Sequence, residues 1–236
     1  TGWVRGVLEV GLTDPKVRLE SRLKILKFFQ TQLDDRKKNP RENDLITDLL
    51  NSGDKYPVTD QYVLGVCNLM LVAGIDTTWS AIGSGLWHFA QHNDEVQRLV
   101  AVPNDDPLWN TANEEVLRYY APVTMARKVI NDVEIAGCPM RAGEQTLVTF
   151  PAANHDPAAF EDAHIFQLDR QDNRHVAFGV GIHRCAGSNL ARLEMLVAFQ
   201  EWLRAFPNYS LDKSKKTTWA NGQVRGPREI PVLLNR

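Results

Sequence analysis

Apolar residues recur at helical spacing through the first half of the chain. Over residues 14–38, DPKVRLESRLKILKFFQTQLDDRKK, the residues Leu19, Leu23, Leu26, Phe29 and Leu33 stand three or four apart with charges between them. That spacing predicts an amphipathic helix, ended by Asn39 and Pro40. A short helix is expected over DLITDLL, residues 44–50, before Gly53 and Pro57 mark a loop. Thr59 offers an N-cap, and from there to about Asn93 no proline interrupts the chain. At about 1.5 Å per residue this predicts a central helix of roughly 50 Å, long enough to cross a domain. A further helix is expected to start at a capping box formed by Thr111 and Glu114, run through NEEVLRYY and stop before Pro122.

Beyond Pro122 the period shortens. RKVINDVEIAG, residues 127–137, alternates about Asn131-Asp132 and predicts a β-hairpin, and EQTLVTF, residues 144–150, predicts another strand. Residues 151–173 show little periodicity and are expected to form an ordered meander. GSNLARLEMLVAFQEWLRAF returns to helical spacing up to Pro207, and REIPVLL predicts a last strand. The expected fold is mainly α (α+β): a single domain over residues 1–236 with a long central helix and small β-hairpins.

Composition narrows the class. A chain of 236 residues can bury a core without disulfide help. With 27 basic and 29 acidic residues the net charge is −2, which favours neither nucleic acid nor an anionic membrane surface, so small-molecule chemistry is the better expectation. Cys67, Cys138 and Cys185 are widely spaced without a CxxC pair, which argues against a disulfide framework and suits a reducing cytoplasm. The apolar run from Tyr62 to Ile75 is too short to span a bilayer and contains Asn68, so it reads as a core helix. The chain opens at Thr1 without Met, inside a helical pattern, and a truncated front is expected.

The candidate chemistry begins at FGVGIHRCAG, residues 178–187. Gly179 and Gly181 permit backbone angles closed to other residues and let a flat ligand approach the main chain. Cys185 precedes a helix start, where exposed N–H groups and the positive end of the dipole favour an anionic ligand atom. Three readings stand side by side: a thiolate ligand to a planar cofactor, an inert small hydrophobe in a tight turn, and a zinc site shared by Cys185 and His183 with His175 or His164. Two further stretches are unusual. AGIDTT, residues 73–78, puts Asp76 and two hydroxyls into the apolar middle of the long helix, where a carboxylate needs a partner or a job. Thr77 can bond back to the Ala73 carbonyl, and Gly74 weakens the helix locally. EEVLR holds Glu115 and Arg118 as an i,i+3 pair, by itself an ordinary surface feature.

Phe178, Gly181, Cys185 and Gly187 fill the pattern FxxGxxxCxG, and with it the chain resembles the cytochrome P450 haem-thiolate monooxygenases. The resemblance implies that Cys185 is the axial thiolate to haem iron, with Phe178 and Gly179 against the haem and His183 and Arg127 at its propionates. Arg184 would sit on the proximal side, where an electron donor docks. AGIDTT resembles the oxygen-binding groove, in which Asp76 relays protons and Thr77 steadies the oxygen being activated. EEVLR resembles the ExxR element, in which Glu115 and Arg118 lock to a meander arginine, here Arg170, and brace the cysteine loop. Val72, Ala73, Val123, Met125 and Val224 would line the substrate side and suit a small apolar or aromatic organic molecule.

The resemblance follows the family's order along the chain and lacks its N-terminal helices. A chain complete as given would under-enclose haem and expose an apolar flank of the long helix. The implied partners are O2 and a ferredoxin or flavin reductase, in trans or in a missing segment, passing electrons from NAD(P)H. Neither nucleic acid nor a membrane is implied, and the expected location is cytoplasmic. The wording resembles soluble bacterial members, and GIDTTWS also resembles self-sufficient members fused to a reductase. Two rival functions remain: a haem-binding sensor or carrier without turnover, and a peroxide-driven peroxygenase, against which Asp76 and Thr77 argue.

Overall fold

Side-chain caps set the starts of several helices. Asp14 accepts from the backbone N–H groups of Lys16 and Val17, with Pro15 at the first helical position, and starts the helix Pro15–Lys38. Asp44 caps Leu45–Asn51 through the Thr47 N–H. The Thr59 hydroxyl accepts from the Tyr62 N–H at 3.2 Å at the start of Asp60–Phe89. In chain order the helices are α1 (Gly2–Leu8), α2 (Pro15–Lys38), α3 (Leu45–Asn51), α4 (Asp60–Phe89), α5 (Asn93–Val100), α6 (Pro107–Tyr120), α7 (Phe150–Ala153) and α8 (Ser188–Ala205). The computed structural model describes residues 2–53, 58–220 and 222–235, so the expected loop position Pro57 lies outside the described residues. The chain divides into two compact units, Thr1–Asp76 and Thr77–Arg236.

In the first unit, Leu33, Ile46, Val63 and Cys67 form a buried cluster that Phe29, Leu49 and Leu64 pack against. The expected apolar stripe of α2 is corrected here: Leu19, Leu23 and Leu26 are exposed, while Ser21, Ile25, Leu33 and Arg36 are buried. Small residues explain the choice of face, because Gly6 of α1 stands so close to Ser21 that a Cβ there would collide with its hydroxyl. Arg36 is buried with its charge met by Asp35 and Asp44.

Helix α4 is unbroken through Gly74 and ends at Phe89, short of the expected Asn93. The chain then tightens, with the Gln91 N–H donating to the His88 carbonyl, and restarts as α5 with His92 in the N-cap position. Buried on α4 are Asp76, Ser80, Ser84 and His88, four residues apart, while Leu69, Met70 and Trp79 are exposed. By length and composition alone α4 could cross a membrane, a test that core helices of soluble proteins also pass.

The second unit is built on the rest of α4 with α5, α6 and α8. Phe89, Leu99, Trp109, Val116, Met195, Phe199 and Leu203 are all at most 2% exposed and form its core. Full burial of a side chain of this size stabilises by about 1.5–3 kcal/mol. Gly85 permits the close approach of α4 and α8, since any Cβ there would collide with the Phe199 ring. Helix α6 starts earlier than the expected capping box: Asp106 accepts from the Leu108 N–H at 2.8 Å, with Pro107 first in the helix. Thr111 lies inside α6 and donates to the Leu108 carbonyl instead.

Among the described residues the strands pair in four small antiparallel ladders. β1 (Met125–Lys128) pairs with β4 (Gln145–Val148), and between them β2 (Val133–Ile135) pairs with β3 (Cys138–Met140). The expected hairpin about Asn131-Asp132 is thus displaced. The turn lies at Ala136 and Gly137, both with positive φ, +50° and +79°, as a tight two-residue turn requires. Asp132 instead accepts from the Ala142 N–H at 2.8 Å. The expected last strand is two: β7 (Pro227–Glu229) pairs with β6 (Thr218–Trp219), and β8 (Val232–Leu233) with β5 (Ser210–Leu211). Pro231, which has no N–H to give a ladder, separates them.

Candidate functional site

The cysteine loop is closed by its own backbone. Gly179 and Gly181 have φ of +69° and +66°, and the Cys185 N–H donates to the Phe178 carbonyl at 2.8 Å. A single 3₁₀ turn, Gly181–His183, leads into Arg184, whose N–H donates to the Gly181 carbonyl. Directly after Cys185, the Ser188 N–H donates to its carbonyl and α8 begins. Cys185, His183 and Arg184 are exposed, and Ile182 is 98% exposed. A Cβ on Gly187 would sit 3.9 Å from Cys185 Sγ, so the loop keeps room beside the sulfur. Phe178 is half-buried under the Arg192 guanidinium, 4.6 Å from its ring centre. An open cavity of about 360 Å³ lies against this loop, lined by residues including His175, Phe178, Gly179, Arg184 and Arg192. A second, of about 400 Å³, lies at Trp87, Tyr120, Trp219 and Arg225 and includes none of the expected site residues.

These residues fit a haem group. One accessible sulfur is offered at the N-terminal end of an 18-residue helix, glycines leave the main chain uncovered, and His183 is exposed beside it as a partner for a carboxylate. Zinc fits less well: His175 is committed to Glu114 at 3.0 Å, and no cluster of three ligating side chains among the described residues includes Cys185.

Behind the loop lies a buried charge network. Glu115 and Arg118 are both 0% exposed, and Arg118 grips the carboxylate through two bonds of 2.8 and 2.7 Å. Arg170 donates to the same carboxylate at 3.1 Å, and the Gln167 N–H and the Asn173 amide add two more donors. The rest of the two guanidinium groups satisfies meander carbonyls: Arg118 those of Asn154, Ala163 and Ile165, and Arg170 those of Glu161 and Ile165. Asn154, fully buried, then donates to the Arg118 carbonyl and accepts from the Val176 N–H at 2.8 Å, two residues before Phe178. The chain entering the cysteine loop is thereby tied to α6.

A second clamp was not legible in the sequence. Glu114 of α6 takes 2.6 and 2.9 Å bonds from Arg192 of α8 and a 3.0 Å bond from His175. Burial pushes the Glu114 carboxyl up, but the His175 bond and the Arg192 charge outweigh it and hold the group at about 2, below its usual 4.5. The unfolded chain therefore binds this proton first as pH falls. The clamp's contribution is fully present above about 4.5 and lost between there and about 2. Glu114→Gln should flatten the acid limb of the stability–pH curve over that interval, followed by denaturant midpoints at a series of pH values. An acid limb as steep as in the unmodified chain would show that Glu114 does not carry it.

The remaining expected site residues fall on α4, on β1 and on an isolated bridge. Asp76 is 9% exposed and Thr77 half-buried in the middle of α4, while Val72 is half-buried and Ala73 exposed one turn earlier. Val123 forms an isolated antiparallel bridge with Val224, and the Gln223 amide reaches Met125 Sδ at 3.1 Å, so Val123, Met125 and Val224 come together. Arg127 is half-buried in β1 opposite Thr146, with one guanidinium nitrogen on the Ala126 carbonyl.

A profile of the Cytochrome P450 family matches residues 103–231. The biotin biosynthesis cytochrome P450 of Bacillus subtilis is 34% identical over 208 residues, which is 88% of this chain and 52% of that protein. Of the solved structures, the bacillaene polyketide synthase cytochrome P450 PksS of B. subtilis matches with a TM-score of 0.90 at 31% identity, over 99% of this chain and 61% of that one. CYP109E1 of Bacillus megaterium, solved with testosterone, matches with a TM-score of 0.88 at 28% identity, over 99% and 64%. The chain thus spans 52% to 64% of the length of these relatives. A glycine loop that offers one cysteine at the start of a long helix, braced from behind by a buried Glu–Arg–Arg network, is a haem-thiolate architecture. The chain belongs to the cytochrome P450 family.

Proposed function

We propose that this protein is a haem-thiolate monooxygenase that inserts one atom of O2 into a small apolar or aromatic organic substrate. The observation that carries this reading is the exposed Cys185, held in a loop that its own backbone closes and that Asn154 ties to the Glu115–Arg118–Arg170 network. Haem, when bound, supplies the activation of O2, and a thiolate ligand favours O–O cleavage. Cys185 would hold the iron, with Phe178 and Gly179 against the ring and His183 and Arg127 at the propionates. Asp76 would pass protons along α4, and the Thr77 hydroxyl would donate a hydrogen bond on the oxygen-binding side. Val72, Ala73, Val123, Met125 and Val224 would face the apolar substrate, as the family resemblance implies. Arg184 faces a ferredoxin or flavin reductase that delivers electrons from NAD(P)H, and residues 1–236 serve as one haem domain in the cytoplasm.

The test is product formation by the haem-loaded chain with O2, NAD(P)H and a generic reductase system. Product formation under these conditions supports the reading. A loaded protein that never turns over is a sensor or carrier, and one that turns over only with hydrogen peroxide is a peroxygenase. Thr77→Ala should bind haem as before yet divert electrons into hydrogen peroxide, read as the ratio of peroxide to product. Unchanged coupling in that variant would remove Thr77 from the oxygen-handling role.

A further inference from the structure

Away from the cysteine loop, the junction of α4 and α5 gathers two histidines and a carboxylate. His88, in the last turn of α4, is 3% exposed, and each of its ring nitrogens is engaged: Nδ1 with the Tyr120 hydroxyl and Nε2 with Glu95 Oε2, both at 2.8 Å. His92 is exposed and stacks its ring on His88, with centroids 4.2 Å apart and planes 19° apart. Glu95 stands three residues after the N-cap residue His92, where a glutamate ordinarily reaches back to the N-cap N–H. Here that N–H donates to the Phe89 carbonyl, and the carboxylate turns to His88 instead.

We propose that His88, His92 and Glu95 form a site for a divalent transition-metal ion of the zinc type, which clasps the end of α4 to the first turn of α5. Their ligand atoms all lie within 4.8 Å of one another. Tetrahedral ligands about 2.1 Å from zinc stand about 3.4 Å apart, so closure asks for a rotamer change of exposed His92 and half-buried Glu95, with buried His88 fixed. Two imidazole nitrogens and one carboxylate oxygen are a donor set that suits zinc and cobalt, and the exposed edge at His92 leaves the fourth position to water.

The surroundings supply what a metal-bound histidine needs. Without the ion, His88 Nε2–H donates to Glu95 and the Tyr120 O–H donates to Nδ1. With the ion, the proton sits on Nδ1 and is donated to the Tyr120 oxygen, which frees Nε2 for the metal and fixes the tautomer. The Phe166 ring, 3.9 Å from that of His88, covers the site from the protein side.

Cobalt(II) chloride alone is the probe, with zinc chloride as competitor. One equivalent of cobalt should produce the visible d–d bands of a tetrahedral nitrogen–oxygen site without a thiolate charge-transfer band, and zinc should abolish them. His92→Ala and Glu95→Gln should each weaken the apparent dissociation constant by at least about 100-fold, and Tyr120→Phe by about 10- to 100-fold. Far-ultraviolet circular dichroism of His92→Ala, altered at an exposed position, should match that of the unmodified chain. Absence of cobalt bands, cobalt binding undiminished in His92→Ala, or bands carrying thiolate charge transfer, which would place the ion on a cysteine, each overturns the proposal.

Discussion

Replacing Arg118 by methionine should lower the unfolding free energy of the second unit by about 3–5 kcal/mol, a large share of the roughly 5–15 kcal/mol typical of a domain. The effect follows from what is left behind. Glu115, wholly buried, keeps the Arg170 guanidinium but loses its two-bond partner. The carbonyls of Asn154 and Ala163 lose their Arg118 donor, at about 1–3 kcal/mol for each buried group left unsatisfied. Arg118→Lys should recover little, because an ammonium cannot span both carboxylate oxygens and the meander carbonyls from one fixed fork. Glu115→Gln should behave alike, since two guanidinium groups would then share an uncharged acceptor. Urea denaturation followed by Trp fluorescence measures all three, Trp109 and Trp202 lying in or against this unit's core. A loss below about 1 kcal/mol for Arg118→Met would place the network among the weakly coupled surface pairs, in conflict with its burial.

The same network shows where sequence reasoning reaches and where it stops. The i,i+3 spacing of Glu115 and Arg118 is visible in five residues, but its burial is not, because that depends on a meander with no period of its own. Asn154, whose carbonyl accepts from Arg118, and Asn173, which donates to Glu115, join the network from 36 and 58 positions away and carry no local signal. The Glu114–Arg192 clamp spans 78 positions and was invisible for the same reason. Cys185 was legible because its loop is closed within ten residues, so the glycines that need positive φ stand beside the cysteine they serve. Alternation identified strands yet misplaced a turn: it runs on both sides of Asn131-Asp132, while only Ala136-Gly137 adopts the left-handed angles that close the hairpin. Helical periodicity likewise found α2 but not its inward face, since a stripe of leucines announces an apolar side and the Gly6–Ser21 contact decides which side is covered. On α4 a polar row, Asp76, Ser80, Ser84 and His88, is buried along with the apolar Val63, Cys67, Ala81 and Phe89. Hydropathy alone would have turned that row outward.

Cys185→Ser should abolish the thiolate-type band in the reduced carbon monoxide spectrum of the haem-loaded chain while leaving the fold intact. Structure and ligand are separable at this position. The side chain is exposed, and the loop is held by backbone groups, the Cys185 N–H on the Phe178 carbonyl and the Ser188 N–H on the Cys185 carbonyl, which serine retains. The side chain therefore contributes little to stability and its sulfur everything to the ligand. A serine hydroxyl is a harder and far less acidic donor than a thiol and cannot replace the sulfur as an electron-rich axial ligand. The other two cysteines make the comparison sharp. Cys138 is exposed on β3, and Cys138→Ser should leave the spectrum unchanged. Cys67 is buried in the core of the first unit, and its thiol is pushed up by burial and by the charge of Asp44, which keeps it protonated and unfit as a ligand. A thiolate band that survives Cys185→Ser and disappears with Cys138→Ser would move the iron to β3 and sever the link between the braced loop and the haem. Loss confined to Cys185→Ser, with unchanged circular dichroism, would tie the spectrum to the one sulfur that the Glu115 network helps to position.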